Sequence, residues 1–256
     1  MGRRGPAGNE GGLTKLGPVV VDPPGRESHD VEVEVRELRR PYHDRIAELR
    51  AKTISILEDA SHATKDATRA LLEQDHAVGD KISARASETS ARVSDVDAEV
   101  LALLALQAPV ARDLRIILAS RDIAQTGDLC MGLCLTLGTR VGFARDVLSS
   151  EMRGMVAEIG AGTAGLLSQA NGAWTTLDEG QSHAVVASAR KCRQTQRDFF
   201  AALVRLQGVP VEAAVDLGMA ARVYERLTDH SLEIAARALF AISGVPTSQA
   251  RHIDEP

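Results

Sequence analysis

Stepping from Val211 at the helical period of about 3.6 residues, the positions reached are Val211, Val215, Met219, Arg222, Glu225, Asp229, Leu232, Ala236 and Leu239. The same step from Val110 reaches Leu114, Ile117, Arg121, Ala124, Asp128, Met131 and Leu135. Both stripes are apolar at their ends, which predicts helices with one face turned to a core. The texture is helical from Pro41 onward and predicts six long helices. They run from about Tyr42 to Leu72, from a cap at Asp75 to Leu106, and from Pro109 to Gly142. Three more run from Asp146 to Leu177, Ser182 to Gln207 and Pro210 to Ile242. Pro41, Pro109 and Pro210 stand where a first helical turn tolerates proline. The fourth helix is the weakest, because Gly154, Gly160, Gly162, Gly165 and Gly172 each cost about 1 kcal/mol relative to alanine. Close packing must compensate there, or the helix breaks. Upstream, Val31 to Arg40 alternates valine with glutamate, which suits a lead-in or a short edge segment, and no partner strand follows.

The pattern occurs twice. Leu104-Ala105-Leu106-Gln107-Ala108-Pro109-Val110 returns as Val204-Arg205-Leu206-Gln207-Gly208-Val209-Pro210-Val211. The offset is 100 before the proline and 101 after it, so that Arg121 falls on Arg222 and Asp128 on Asp229. A period this long means one supersecondary unit built twice. Connections are short, so neighbouring helices are antiparallel. The expected fold class is all-α, with two tandem antiparallel three-helix bundles over residues 41–143 and 144–243. A disordered tail over 1–40, rich in glycine, proline and charge at its start, and a flexible tail over 244–256 flank them.

Composition narrows the class. The 256 residues are 44% hydrophobic but only 3% aromatic, with Trp174 the sole tryptophan, as expected of helices packed on helices. A net charge of −5 gives no electrostatic case for nucleic acid. Three cysteines, Cys130, Cys134 and Cys192, form no paired framework and fit a reducing compartment. No apolar run approaches the ~20 residues that span a bilayer, and Arg3-Arg4 lacks the apolar stretch of an export signal. The expected location is cytoplasmic. Neither a phosphate-cradling G-x-x-x-x-G-K-[ST] loop nor a glycine-flanked serine nucleophile occurs, so an enzyme is not expected.

Glu225 and Asp229 carry the candidate chemistry. On the stripe from Val211 they interrupt an apolar seam, and two anions at i and i+4 repel one another. Burying them requires an opposing cation, either a metal ion or an arginine. Arg222 and Arg226 each stand three residues before one of these acids, and Glu233 and Arg237 make a further i, i+4 pair. A structural charge network is therefore favoured over a metal site. In the first copy Ala124 takes the place of Glu225; Asp128 remains as a further candidate ligand, with Asp122 nearby and Arg121 as its counter-charge. Cys130 and Cys134 share a helical face but read as small apolar residues beside Met131 and Leu135. His230 reads as a partly exposed surface histidine.

The run Leu103-Leu104-Ala105-Leu106-Gln107-Ala108-Pro109-Val110-Ala111-Arg112-Asp113-Leu114-Arg115 resembles the central signature of the PhoU family of phosphate-transport regulators. Tyr42-His43 at the first helix and Tyr224-Glu225-Arg226-Leu227-Thr228-Asp229-His230 are similar to other parts of the family pattern, and the likeness spans Pro41 to Ile242. The resemblance implies a cytoplasmic, dimeric, all-helical adaptor. It would restrain phosphate uptake and the phosphate-starvation response by contacting the ATPase subunit of a phosphate importer and a sensor histidine kinase, meeting the membrane only through such partners. Some members bind multinuclear clusters of divalent or iron-type metal through paired acidic i, i+4 motifs on the second and third helices of each bundle. Here only Glu225 and Asp229 form a complete motif. The second helix offers Ser87, Glu88 and Ala91 where acids are expected, and the fifth carries Ala189-Arg190-Lys191-Cys192-Arg193. Hard cations want several carboxylate oxygens, so the chain reads as a divergent member in which Arg190 or Arg193 neutralises the acids directly. The alternative is a metal-binding helical bundle using that acidic motif; a third reading is a purely structural bundle.

Overall fold

The computed structural model describes residues 27–73, 75–139, 148–205, 207–208 and 210–246. Six helices account for nearly all of them: α1 Glu27–Glu73, α2 His76–Gln107, α3 Ala111–Thr139, α4 Ser150–Thr176, α5 Glu179–Val204 and α6 Val211–Ser243. The starts follow local chemistry. The Asp75 carboxylate accepts the Ala77 N–H, Ser149 Oγ that of Met152, and the Asp178 carboxylate that of Gln181. Gly244 ends α6 in the left-handed region at φ 79°, returning its N–H to the Phe240 carbonyl.

The expected start of α1 changes, and the open choice at α4 is decided. Helix α1 begins at Glu27, so residues 27–40, taken as tail and as a strand-like lead-in, are helical; residues 1–26 lie outside the described residues. Glutamate and arginine are strong helix formers, and a two-residue alternation of valine with glutamate does not override them. Pro41 consequently lies inside α1 rather than at a helix start. The chain divides after Pro41 into two units, the second being Tyr42–Pro256. Pro109 stands two residues before the start of α3, whereas Pro210 caps α6. Finally, the glycine-rich α4 is continuous. Gly160 accounts for its closest approach, since a β-carbon there would overlap the Thr68 side chain of α1. The expected ends at Gly142 and Asp146 and the tail over 247–256 lie outside the described residues.

Within the second unit the two helix trios press together over one continuous core. Leu49, Ile56, Met131, Trp174, Phe199 and Tyr224, drawn from both trios, are each at most 1% exposed. Burying one such apolar side chain is worth about 1.5–3 kcal/mol. Helices α1 and α4 run antiparallel: Thr53 meets Trp174 at 2.8 Å, and Ser61 donates to the Ala164 carbonyl at 3.0 Å. Further along, Thr68 meets the hydroxyl of Tyr224 on α6 at 2.9 Å. Helices α3 and α6 are antiparallel as well, with Asp122 on Arg237 at 2.7 Å and Arg115 reaching the Ala241 and Ile242 carbonyls at 3.4 Å.

Two arginines close helix ends across this junction. Arg50 of α1 donates to the Trp174 and Thr175 carbonyls at the end of α4, with its guanidinium 5.2 Å from the Trp174 ring centre. Arg115 of α3 does the same for α6. Each places a positive charge where the last carbonyls lack partners. Burial, and then the like charge of Arg112, lower the pKa of Arg50.

Candidate functional site

Helix α6 buries a different face from the one the step from Val211 predicted. Ala213, Leu217, Ala220, Tyr224, Thr228 and Ser231 turn inward, while Val211 is 78% exposed and Val215 and Met219 are exposed as well. Alanine-rich surfaces let backbones approach closely, and α6 uses this face to meet α3, α4 and α5. Glu225 and Asp229 therefore do not point into the interior. Their side chains are 37% and 54% exposed.

Protein-borne cations oppose both acids. Arg222 Nη1 lies 2.5 Å from the Glu225 carboxylate, one turn away on the same helix. Arg193 of α5 reaches Asp229 Oδ1 at 3.0 Å. Arg193 belongs to the basic run that stands where a metal cage would need acids. The Glu225 hydrogen bond and charge hold Arg222 above its ordinary pKa. Water screens these pairs, so they add little to stability. Of the pairings expected within α6, Arg222–Glu225 forms, and Glu233–Arg237 forms at 3.7 Å. Asp229 takes Arg193 in place of Arg226.

In the first trio the charges also pair differently. Asp128 accepts from Ser90 of α2 at 2.7 Å, and Arg121 turns instead to Asp97 at 3.1 Å. Asp122 is drawn to Arg237 at the α3–α6 crossing. Ala124 is fully buried, so an acid there would have no route to solvent. Arg92 of α2 pairs with Asp59 of α1, and Arg45 with Glu99 at 2.7 Å.

These residues do not fit a multinuclear metal cluster. No group of three or more His, Cys, Asp or Glu side chains converges among the described residues. Glu225 and Asp229, the one complete acidic pair, have guanidinium groups on their oxygens. Cys130 and Cys134 are buried in the core, where burial pushes the Cys134 thiol up to about 12, and its sulfur lies 3.3 Å from Thr64 Oγ1. Both stay protonated and act as small apolar groups. His230 is largely buried, with Nδ1 3.8 Å from Glu233 and Nε2 without a hydrogen-bond partner. Burial is the main cause of its lowered pKa; Arg226 also lowers it, while Glu233 and Asp229 oppose the shift.

Sequence reasoning missed the Thr64, Thr68 and Tyr224 polar spine, the two helix-closing arginines and the exposed valines of α6. The alanines of α6 were the available signal, since a face of small residues marks a close helix crossing.

The chain was compared with known proteins. The PhoU domain model matches residues 53–134, from the second half of α1 into α3. The phosphate-specific transport system accessory protein PhoU homolog 1 of Mycobacterium leprae is 30% identical over 210 residues, covering 81% of this chain and 95% of its own. The chain belongs to the PhoU family. Homolog 2 of Mycobacterium tuberculosis is 28% identical over 212 residues, covering 81% and 99% of the two chains. The PhoU crystal structures from Pseudomonas aeruginosa and Streptococcus pneumoniae share the fold, each at a TM-score of 0.73, with 17% and 14% identity. They cover 80% and 79% of this chain, and 100% and 97% of their own. This PhoU chain thus keeps the duplicated all-α architecture, while Glu225 and Asp229 are closed by its own arginines.

Proposed function

We propose that this protein is a regulatory adaptor of phosphate homeostasis that works by protein contact. It restrains phosphate uptake and phosphate-starvation signalling by engaging the ATPase subunit of a phosphate importer and a sensor histidine kinase. It acts in the cytoplasm as a homodimer, and it meets the membrane only through those partners. The observation that carries this reading is the likeness to accessory proteins of phosphate-specific transport over nearly the full length of those relatives. Two features agree with it. No helix among the described residues is long and apolar enough to cross a membrane. The polar residues at the candidate site are engaged with one another, which suits a docking surface better than a reaction centre. In this reading the Arg193–Asp229 pair joins α5 to α6 in place of a metal cluster, while Arg222–Glu225 closes within α6.

Its output is a shift in partner activity through differential binding to two partner states. Deleting the gene and measuring phosphate-starvation transcripts in high phosphate tests the proposal. Derepressed transcripts are expected; transcripts unchanged from the parent strain would contradict it.

A further inference from the structure

We infer that the α5–α6 hairpin end is a docking head for an amphipathic helix whose edge facing α5 is acidic. The inference rests on the adaptor reading and names the chemistry of one partner. Phe200 and Val204 of α5 and Val211, Val215 and Met219 of α6 are all exposed, with Val204 at 84%. On α5 they are spaced i, i+4, and on α6 i, i+4, i+8, so each helix presents a ridge. The helices are consecutive and packed together. Scattered exposed apolar residues need no explanation, but five at regular helical spacing on two helices that pack together mark an interaction surface.

Duplication supplies a control. Val110 and Leu118 of the first copy, which correspond to Val211 and Met219, are exposed too. Because α3 and α6 are antiparallel, the two hairpin ends lie at opposite ends of the second unit, separated by about the length of α6, ~50 Å at 1.5 Å per residue. The copies have diverged in charge. Residues 190–229 hold seven basic and five acidic side chains, a net +2; the matching residues 89–128 hold four and six, a net −2. Arg197 stands where the first copy has Asp97, Arg205 where it has Ala105, and Lys191 where it has Ala91. The excess positive charge sits on α5, since α6 carries Glu212 and Asp216 beside its ridge. Among the described residues neither Arg197 nor Arg205 pairs with a carboxylate; Arg197 donates to Gln194.

The apolar ridges offer affinity to a helix laid along them, and the free arginines select its sign. A second copy of this chain suits the head poorly. An isologous contact would set the arginines against themselves, and a contact between opposite ends would leave free ends that propagate into open chains.

Fluorescence anisotropy on the full chain tests the assignment, with two labelled 18-residue helical peptides as probes. Both carry a leucine stripe and glutamine elsewhere; one has glutamates along one edge and the other has lysines. The glutamate peptide is expected to bind at least tenfold tighter. Val215→Asp should weaken it at least tenfold, Arg197→Glu with Arg205→Glu should shift preference to the lysine peptide, and Leu129→Asp should change nothing. Circular dichroism verifies that each variant is folded. Equal binding of the two peptides, no binding of either, or indifference to Val215→Asp would overturn the inference. So would Val215-dependent self-association in sedimentation, or Val215-dependent binding to phosphatidylglycerol vesicles in place of the glutamate peptide. These readouts use purified protein, so they succeed or fail independently of the gene-deletion phenotype.

Discussion

Cys192 and the pair Cys130 and Cys134 show how one residue type takes opposite characters from its surroundings. Cys192 sits half-buried at a groove of about 440 Å³ between α4 and α5, beside Gly162, Gly165 and Lys191. Burial raises its pKa above the ordinary thiol value, with Lys191 opposing the shift. The thiolate is the reactive form, so its alkylation rate should rise about tenfold per pH unit from pH 7 until the pH passes its raised pKa. The native chain should release one equivalent of thiol to Ellman's reagent quickly and the other two only on unfolding. Rapid release of all three would contradict the burial of Cys130 and Cys134. The sequence led to the same reading of Cys130 and Cys134, because Met131 and Leu135 beside them marked a core face. It did not reveal the position of Cys192, which depends on glycines of a different helix.

At the scale of elements, α4 separates intrinsic propensity from packing. Gly154 faces open space, and a β-carbon there would meet nothing. Gly154→Ala is expected to stabilise the fold by up to about 1 kcal/mol through helix propensity alone. Gly160→Ala gains the same propensity but drives a methyl into Thr68, an overpacking cost of about 1–3 kcal/mol. Chemical denaturation of the two variants should therefore show opposite signs; equal shifts would mean that α1 and α4 are not in the contact described. The cap at Asp75 was legible because capping is a contact between near neighbours, whereas the fifth helix was expected to start at Ser182 and its cap at Asp178 was not anticipated. The buried face of α6 was not legible. Its outward ridge of Val211, Val215 and Met219 is more hydrophobic than the alanines it packs inward, so periodicity alone selected the wrong side. The candidate acids, directed inward by that periodicity, are partly exposed instead. Their arginine partners were partly legible: Arg193 was anticipated from the basic run on α5, while the turn of Arg121 to Asp97 depends on how α2 faces α3.

For the molecule as a whole, duplication was the strongest signal in the sequence, and the comparisons support it through the shared PhoU fold. What the repeat could not show is that the trios join antiparallel over one core, since that arrangement rests on contacts such as Thr53 with Trp174 and Thr68 with Tyr224, far apart in the chain. The arrangement gives the molecule two ends and leaves Glu225 and Asp229 of α6 on the outside. There the second copy binds its own arginines where a metal cluster would require more acids. Elemental analysis of the purified full chain, prepared without chelators, tests this most directly. The account predicts no stoichiometric iron, zinc or manganese and no change in thermal stability when these ions are added. Tightly held metal at one or more equivalents, lost in Glu225→Gln with Asp229→Asn, would contradict it.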